Sequence, residues 1–300
     1  MVSRNNTRNP SSRRRPGRGG RRNGDLKKIL LIGTIPLAVL GGGAFGLAHY
    51  MNIERIDGDF CYAREDQPEV AFLIDASMTY RFSDQQNRDL ETATVRIWEE
   101  APPNSRISFL SSGRNSGGSL LEPVGVVCKP PETPDEQRAM DLPSQPAPLL
   151  ARQTAEARER YDQLVQQVLQ GAQSEELAAG DSPILEMYQA TSRGRYFDSD
   201  DRTLWVVTDG IQNSEIARFC AVQGDMPPFE AFVQQRRYEA VRPEPFTGTD
   251  VRFLLVESLA LPQQGLDWCT HQEMRDWHRD YFLGNGADSF ELTRLRHGAE

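Results

Sequence analysis

The sequence predicts an α/β fold of three layers: a doubly wound, mostly parallel six-stranded sheet with one antiparallel edge strand, preceded by one transmembrane helix. Short apolar runs alternate with longer amphipathic segments, which is typical of a parallel sheet with helices on both faces. Two of the apolar runs are joined only by a loop, which indicates a hairpin. An uncharged stretch of about 20 residues near the N-terminus has the length of a membrane span.

The N-terminal region is predicted to be a disordered basic cytoplasmic tail, residues 1–28, followed by a transmembrane helix at 29–48. Ten Lys and Arg residues against one Asp give the tail a charge of +9, which leaves −18 for the rest of the chain. Few basic residues follow the span, so the charge bias places the N-terminus in the cytoplasm. The chain beyond a linker at 49–65 then lies outside, and the Arg- and Ala-rich composition favours the periplasmic side of a bacterial inner membrane.

Two alternatives concern this N-terminal region. Gly46 and Ala48 have the spacing of a signal-peptide cleavage site, so the apolar segment is either a retained anchor or a cleaved signal. The basic tail also has the composition of a segment that binds nucleic acid or anionic lipid. Because the exported part is acidic, we expect no nucleic-acid binding there.

The exported domain is predicted to span residues 66–296. Its six predicted strands are Val70–Ile74, Arg106–Leu110, Val124–Cys128, Thr203–Thr208, Val251–Val256 and Ser289–Leu295. Its predicted helices are Ser83–Glu100, Ala151–Gln170, Pro183–Ser192, Ser214–Cys220, Pro228–Tyr238 and Thr270–Leu283. The second and third strands form the predicted hairpin, and the Pro-rich acidic segment at 129–150 is interpreted as a surface insertion.

Four cysteines lie in the exported part, and none has the spacing of a C-x-x-C pair or a zinc site. An even number in an oxidising compartment favours two disulfides. The antiparallel third strand ends at the edge where the first strand begins, which predicts a bond between Cys61 and Cys128. Cys220 and Cys269 both follow strands, so we expect them to pair at the opposite edge.

Oxygen-bearing side chains follow two of the predicted strands. Asp75, Ser77 and Thr79 come at alternate positions after the first strand, where they point the same way in an extended chain. Asp209 follows the fourth strand, and Ser182, before a proline, is predicted to cap a helix. Because open α/β sheets bind ligands at the carboxyl ends of their strands, we expect these five side chains to converge.

This order of motifs, D-x-S-x-[ST], then G-x-[ST]-x-[ILV], then T-D-G, resembles the metal-ion-dependent adhesion site (MIDAS) of von Willebrand factor A (vWA) domains, over roughly residues 66–296. The resemblance implies a vWA or Rossmann-like fold. It assigns Asp75, Ser77 and Thr79 to the first loop of the site, Ser182 to the second and Asp209 to the third. Thr79 stands where serine is usual and Ser182 where threonine is usual, and both keep the hydroxyl.

Carboxylates and hydroxyls are hard oxygen ligands, which suit Mg²⁺ or Mn²⁺. In the family that the site resembles, one coordination position stays open for an acidic side chain of a protein partner. The implied function is therefore metal-dependent protein recognition by a membrane-anchored module, without enzymatic activity. The alternative is a metal-free structural subunit of a bacterial envelope or transfer assembly.

An enzyme is the least favoured class. A phosphotransferase of the haloacid dehalogenase type would need a second Asp where Ser77 stands, and a hydrolase with unrecognised residues is the last alternative. The histidines are interpreted as solvated, because none has an evident orienting neighbour; they are His49, His271, His278 and His297. An aromatic group near the C-terminus is interpreted as core rather than as a binding patch; its members are Trp268, Trp277, Tyr281 and Phe282.

Overall fold

A computed structural model describes residues 56–62, 67–76, 82–112, 122–173, 182–220, 226–257 and 269–298. The chain divides into two compact units, Met1–Ile53 and Glu54–Glu300, and all of the described residues belong to the second. The predicted cytoplasmic tail and transmembrane helix lie outside them. Within the described residues, no helix is both long and apolar enough to span a bilayer.

Most of the strands form one six-stranded, mostly parallel sheet. The described residues contain strands β1 (Glu69–Ile74), β2 (Arg106–Ser111), β3 (Gly125–Cys128), β4 (Arg202–Thr208), β5 (Gln212–Asn213), β6 (Arg218–Phe219), β7 (Thr249–Val256) and β8 (Ser289–Leu295). The large sheet has the order β3-β2-β1-β4-β7-β8, in which only β3 runs antiparallel to its neighbour. The α/β sheet with an antiparallel edge strand is therefore as predicted.

Helices connect the strands and cover both faces of the sheet. They are α1 (Asp84–Glu100), α2 (Pro134–Ala139), α3 (Ala147–Ala172), α4 (Ile184–Ser192), α5 (Phe229–Phe232) and α6 (His271–Gly284), with a 3₁₀ turn at Arg236–Ala240. The predicted helix Pro228–Tyr238 is thus two short pieces, and the Pro-rich insertion contains α2. A capping box between Ser83 and Gln86 fixes the start of α1.

Alternate residues of the strands divide between two apolar cores. One core joins Leu73 of β1 and Val206 of β4 to α4 and α6, whereas the other joins Phe72 and Val207 to α1 and α3. This period of two requires that the cores lie on opposite faces of the sheet. Of the predicted aromatic group, three residues belong to the first core, and Trp268 lies outside the described residues; the three are Trp277, Tyr281 and Phe282.

The predicted helix at Ser214–Cys220 is wrong. The chain instead forms a small hairpin, in which Gln212 pairs with Phe219 and Asn213 pairs with Arg218. Ser214 turns the chain, since its hydroxyl accepts a hydrogen bond from the amide of Ile216 at 3.1 Å. A segment of this length does not form a stable helix alone. Phe219 is buried in the core, so we infer that tertiary packing stabilises the hairpin instead.

Both predicted disulfides are present. Cys61 bonds to Cys128 at the end of β3, and the amide of Cys128 donates to the carbonyl of Asp59 at 2.8 Å. This bond lies at the amino edge of the parallel strands. Cys220, just after β6, bonds to Cys269, just before α6. The second bond therefore attaches the loop that follows β4 to the helix that follows β7.

Candidate metal site

The order of the strands reverses between β1 and β4, and the candidate site lies at the carboxyl ends of these two neighbours. The chain passes from β1 outward through β2 to β3, then returns to place β4, β7 and β8 on the other side of β1. Such a reversal separates the loops that follow the two central strands, which opens a crevice between them. Asp75 follows β1 and Asp209 follows β4, so both carboxylates are placed at this crevice.

Strand register brings two hydroxyls to the carboxylate of Asp75. Ile74 pairs with Ser111 on one side and with Val207 on the other, so the next position places Asp75 between Ser112 and Thr208. Ser112 Oγ donates to Asp75 Oδ1 at 3.2 Å, and Thr208 Oγ1 donates to Asp75 Oδ2 at 3.0 Å. Both hydroxyls also accept a backbone amide, from Ala76 at 2.6 Å and from Gly210 at 3.0 Å.

Ser182 supplies a third hydroxyl, from the loop that precedes α4. Ser182 Oγ donates to Asp75 Oδ2 at 3.1 Å, and its backbone exchanges two hydrogen bonds of 2.7 Å with Asn213. The predicted capping role of Ser182 is wrong, because α4 begins at Ile184 and the side chain of Gln212 accepts the amide of Leu185 at 2.9 Å. The hydroxyl of Ser182 is thereby directed to the crevice.

Asp209 shares the site with Asp75 and is almost as deeply buried. Its side chain accepts the amide of Ile211 at 3.0 Å, which holds it in the loop after β4. Burial, and next the negative charge of Asp75, raise the pKa of Asp209 well above its usual range. A cation between the two carboxylates would relieve the same repulsion.

The donor chemistry of the described residues fits a small hard cation. Two buried carboxylates and three hydroxyls meet at one edge of the sheet. The described residues contain no group of three His, Cys, Asp or Glu side chains that could hold a metal, so a cation here would also need hydroxyl oxygens. Magnesium accepts such a set, because it takes oxygen ligands and keeps several waters. Of the residues predicted for the site, the structure brings Asp75, Ser182 and Asp209 together, whereas Ser77 and Thr79 lie outside the described residues.

Ser112 and Thr208 are missed by the sequence reasoning. Thr208 is the first residue of the T-D-G motif and ends the predicted fourth strand, so the sequence predicts its position but not the role of its hydroxyl. Ser112 stands two residues beyond the predicted second strand and carries no motif. Its position depends on the register of β2 against β1, which a single sequence does not specify.

The interpretation of His278 as solvated is wrong. His278 is 3% exposed, with Nε2 3.2 Å from the carbonyl oxygen of Gly210 and Nδ1 3.4 Å from the hydroxyl of Tyr188. The sequence spacing indicates this burial, since Met274, Trp277 and Tyr281 place His278 on the apolar stripe of α6. Because burial disfavours the imidazolium, the pKa of His278 is lowered to about 4.

Acidification is expected to destabilise the fold through His278. Above pH 6.5 the imidazole is neutral in the folded and the unfolded chain; between pH 6.5 and about 4, only the unfolded chain takes up the proton. The free energy of unfolding should therefore fall by about 2.5 kcal/mol between pH 7.5 and pH 4.5 on account of this residue. Urea unfolding of the wild type and of His278→Gln at both pH values measures the difference.

The matched control is His271→Gln, because His271 begins the same helix and is only partly buried, whereas His278 is almost completely buried. This variant should keep the wild-type loss of stability in acid, whereas His278→Gln should lose about 2.5 kcal/mol less than the wild type. Equal losses in all three proteins would contradict the assignment.

A cavity of about 410 Å³ lies elsewhere, beside the turn that follows α4. Its charged walls are paired with one another: Arg193 contacts Glu244 at 3.7 Å and Arg195 contacts Glu122 at 3.3 Å. This pairing already satisfies the charges that a ligand would need, so the cavity is a weaker candidate than the crevice at Asp75.

Comparison with known proteins gave no match, either among family models or among curated proteins. Only the residues at the carboxyl edge of the sheet and their geometry therefore indicate a function.

Proposed function

We propose that this chain is a membrane-anchored, extracytoplasmic module that binds another protein through Mg²⁺ or Mn²⁺ held at a MIDAS-like site of a vWA-like domain. The observation that carries the proposal is the convergence of Asp75, Ser182 and Asp209 at the crevice between β1 and β4. These three residues come from three separate loops, in the order that the motif resemblance requires. Chance capping or turn roles would not bring them to one point.

Each residue has a distinct role in this proposal. Asp75 and Asp209 supply negative charge, and the hydroxyls of Ser77, Thr79 and Ser182 supply neutral oxygen donors. Ser112 and Thr208 hold the carboxylate of Asp75 in one orientation, which lowers the entropic cost of forming the site. When bound, Mg²⁺ supplies an open coordination position for an acidic side chain of the partner. Ligation mainly by hydroxyls, with few protein carboxylates, favours recognition over catalysis.

The location outside the cytoplasm is supported by the two disulfides, since such bonds persist in oxidising compartments. The span at 29–48, with the basic tail before it, is proposed to anchor the chain in a bacterial inner membrane with its N-terminus in the cytoplasm. The domain that carries Asp75 would then face the periplasm, where it meets its protein partner.

A metal-free scaffold subunit of an envelope assembly is the second candidate. One observation favours it: the carboxylate of Asp75 accepts hydrogen bonds from three hydroxyls, from Ser112, Ser182 and Thr208. Such donors stabilise a buried carboxylate without a cation. The site could thus keep its shape after losing its metal function, and the two candidates differ in whether a cation binds.

Titration of the full-length chain in detergent with MgCl₂ or MnCl₂ separates the two candidates. A metal-binding site should raise the stability of the wild type by about 2.7 kcal/mol when the metal stands at 100 times its dissociation constant. Thermal unfolding measures this gain. Asp75→Asn should abolish it, and Ser182→Ala, which removes one neutral donor, should weaken the apparent affinity by about tenfold.

Asp162→Asn is the matched control, because Asp162 is an exposed carboxylate on α3 whose nearest cation is Arg158 at 3.0 Å. It should respond to metal as the wild type does. If neither metal changes the unfolding temperature of the wild type, the recognition module is excluded in favour of the scaffold.

A further inference from the structure

We infer that His278 and Tyr188 are positioning residues, which hold the second and third loops of the metal site at a fixed separation. The inference rests on the proposed function and extends it to two side chains that do not touch the metal. It arises from a chain of hydrogen bonds that runs from α4 through α6 to the loop after β4.

The first link fixes the third loop. His278 Nε2 lies 3.2 Å from the carbonyl oxygen of Gly210, the residue directly after Asp209. Gly210 has a φ of +78°, and a Cβ added there would stand 3.2 Å from the same nitrogen. Only glycine combines this backbone conformation with so close an imidazole. The loop that carries Asp209 is therefore shaped to receive His278.

The second link reaches the helix that follows the second loop. A carbonyl oxygen only accepts, so Nε2 of the neutral imidazole carries the hydrogen and Nδ1 is the acceptor. The hydroxyl of Tyr188, 3.4 Å from Nδ1, is then the donor. Tyr188 lies on α4, which begins two residues after Ser182. Burial, and then nearby charges that include those of Asp75 and Asp209, raise the pKa of Tyr188 well above its usual range. The two residues thus tie the loop of Ser182 to the loop of Asp209.

A covalent bond fastens the same pair of elements at another point. The loop after β4 ends at Cys220, which is bonded to Cys269 just before α6. The third loop is thus held to α6 by the disulfide at its end and by His278 near its beginning. Between these points, the backbone of Asn213 holds Ser182 by two hydrogen bonds of 2.7 Å. A displaced Gly210 carbonyl would therefore shift Asp209 relative to Ser182.

The decisive comparison is between Tyr188→Phe and Tyr281→Phe. Both tyrosines are fully buried, and their rings are 5.4 Å apart. The hydroxyl of Tyr281 has no hydrogen-bond partner among the described residues, whereas that of Tyr188 bonds to His278. Each substitution removes one oxygen from the same core. Only Tyr188→Phe should weaken Mn²⁺ binding, by about threefold, because it releases the imidazole.

His278 itself is tested by two variants. His278→Phe keeps an aromatic ring but leaves the Gly210 carbonyl without its donor, and it should weaken Mn²⁺ binding by about tenfold. His278→Gln keeps an amide N–H that reaches the same carbonyl, and it should restore the affinity to within about threefold of the wild type. The affinity is measured on the full-length chain at 25 °C from the electron paramagnetic resonance signal of free Mn²⁺, and thermal unfolding in EDTA is recorded in parallel.

The outcomes separate this inference from the proposed function. A wild type that binds no Mn²⁺ overturns both. A wild type that binds Mn²⁺, with His278→Phe or Tyr188→Phe binding equally well, overturns the positioning role alone, even if those variants unfold at a lower temperature. If His278→Phe fails to fold, the comparison of the two tyrosine variants decides the matter.

Discussion

Removing the Cys61–Cys128 disulfide by the double substitution Cys61→Ala and Cys128→Ala is expected to lower the free energy of unfolding by about 4 kcal/mol. The bond closes a loop with a sequence separation of 67 residues, so its loss frees a long stretch of the unfolded chain. A loss of this size is a large fraction of the stability of an ordinary domain. Urea unfolding of the full-length chain, under conditions that keep the other disulfide intact, measures the change.

The matched control is the double substitution Cys220→Ala and Cys269→Ala, which opens a loop with a sequence separation of 49 residues and should cost a similar amount. The two pairs should differ in their effect on Mn²⁺ binding. The Cys61–Cys128 bond lies at the amino edge, far from the crevice, and its loss should leave the affinity unchanged; loss of the other bond should weaken it. Weakening by both pairs to the same extent would contradict the separation of the two edges.

The substitution Glu69→Gln is expected to lower the free energy of unfolding by about 3 kcal/mol. Glu69 is 1% exposed and begins β1, where its carboxylate contacts the guanidinium of Arg106. It also accepts the amides of Asp198 at 2.6 Å and of Ser199 at 3.0 Å. A neutral amide would turn its NH₂ group toward one of these donors and leave a buried partner unsatisfied. Chemical denaturation at pH 7 measures the loss.

Glu291→Gln provides the control for this change. Glu291 on β8 contacts Arg252 in the same Glu–Arg combination, but its side chain is 50% exposed. Exposed pairs contribute little, so this variant should lose less than about 1 kcal/mol. If both variants lose the same stability, burial is not the reason for the importance of Glu69.

The sheet could be predicted from the sequence because its central strands, β1 and β4, are largely apolar on both faces. All six residues of β1 are buried, and a short run of this apolar character is typical of a central strand with helices on both faces. The hairpin of β5 and β6 could not be predicted in the same way. It has two residues in each strand, and its shape comes from the burial of Phe219 and the bond of Cys220 to Cys269.

Only those residues of the candidate site that belong to sequence motifs could be predicted. Asp75, Ser182 and Asp209 follow elements whose ends the apolar pattern marks. Ser112 reaches Asp75 through strand register, and His278 reaches Gly210 through the packing of α6 on the sheet. Register and packing depend on contacts between segments that lie far apart in the sequence. The residue pattern of one segment does not specify which segment it contacts or in which register.

The covalent bond at the entry to the domain has a mechanical consequence. A pull on the N-terminal segment enters the fold at Cys61, which shares the load with β3 through Cys128 instead of passing it to β1 alone. A partner held at the opposite edge of the sheet would pull along the strand axes. The hydrogen bonds between β1, β2 and β4 then bear the load together, in shear, and do not open one after another. A load between the N-terminal segment and the carboxyl edge of the sheet would thus be shared by several strands.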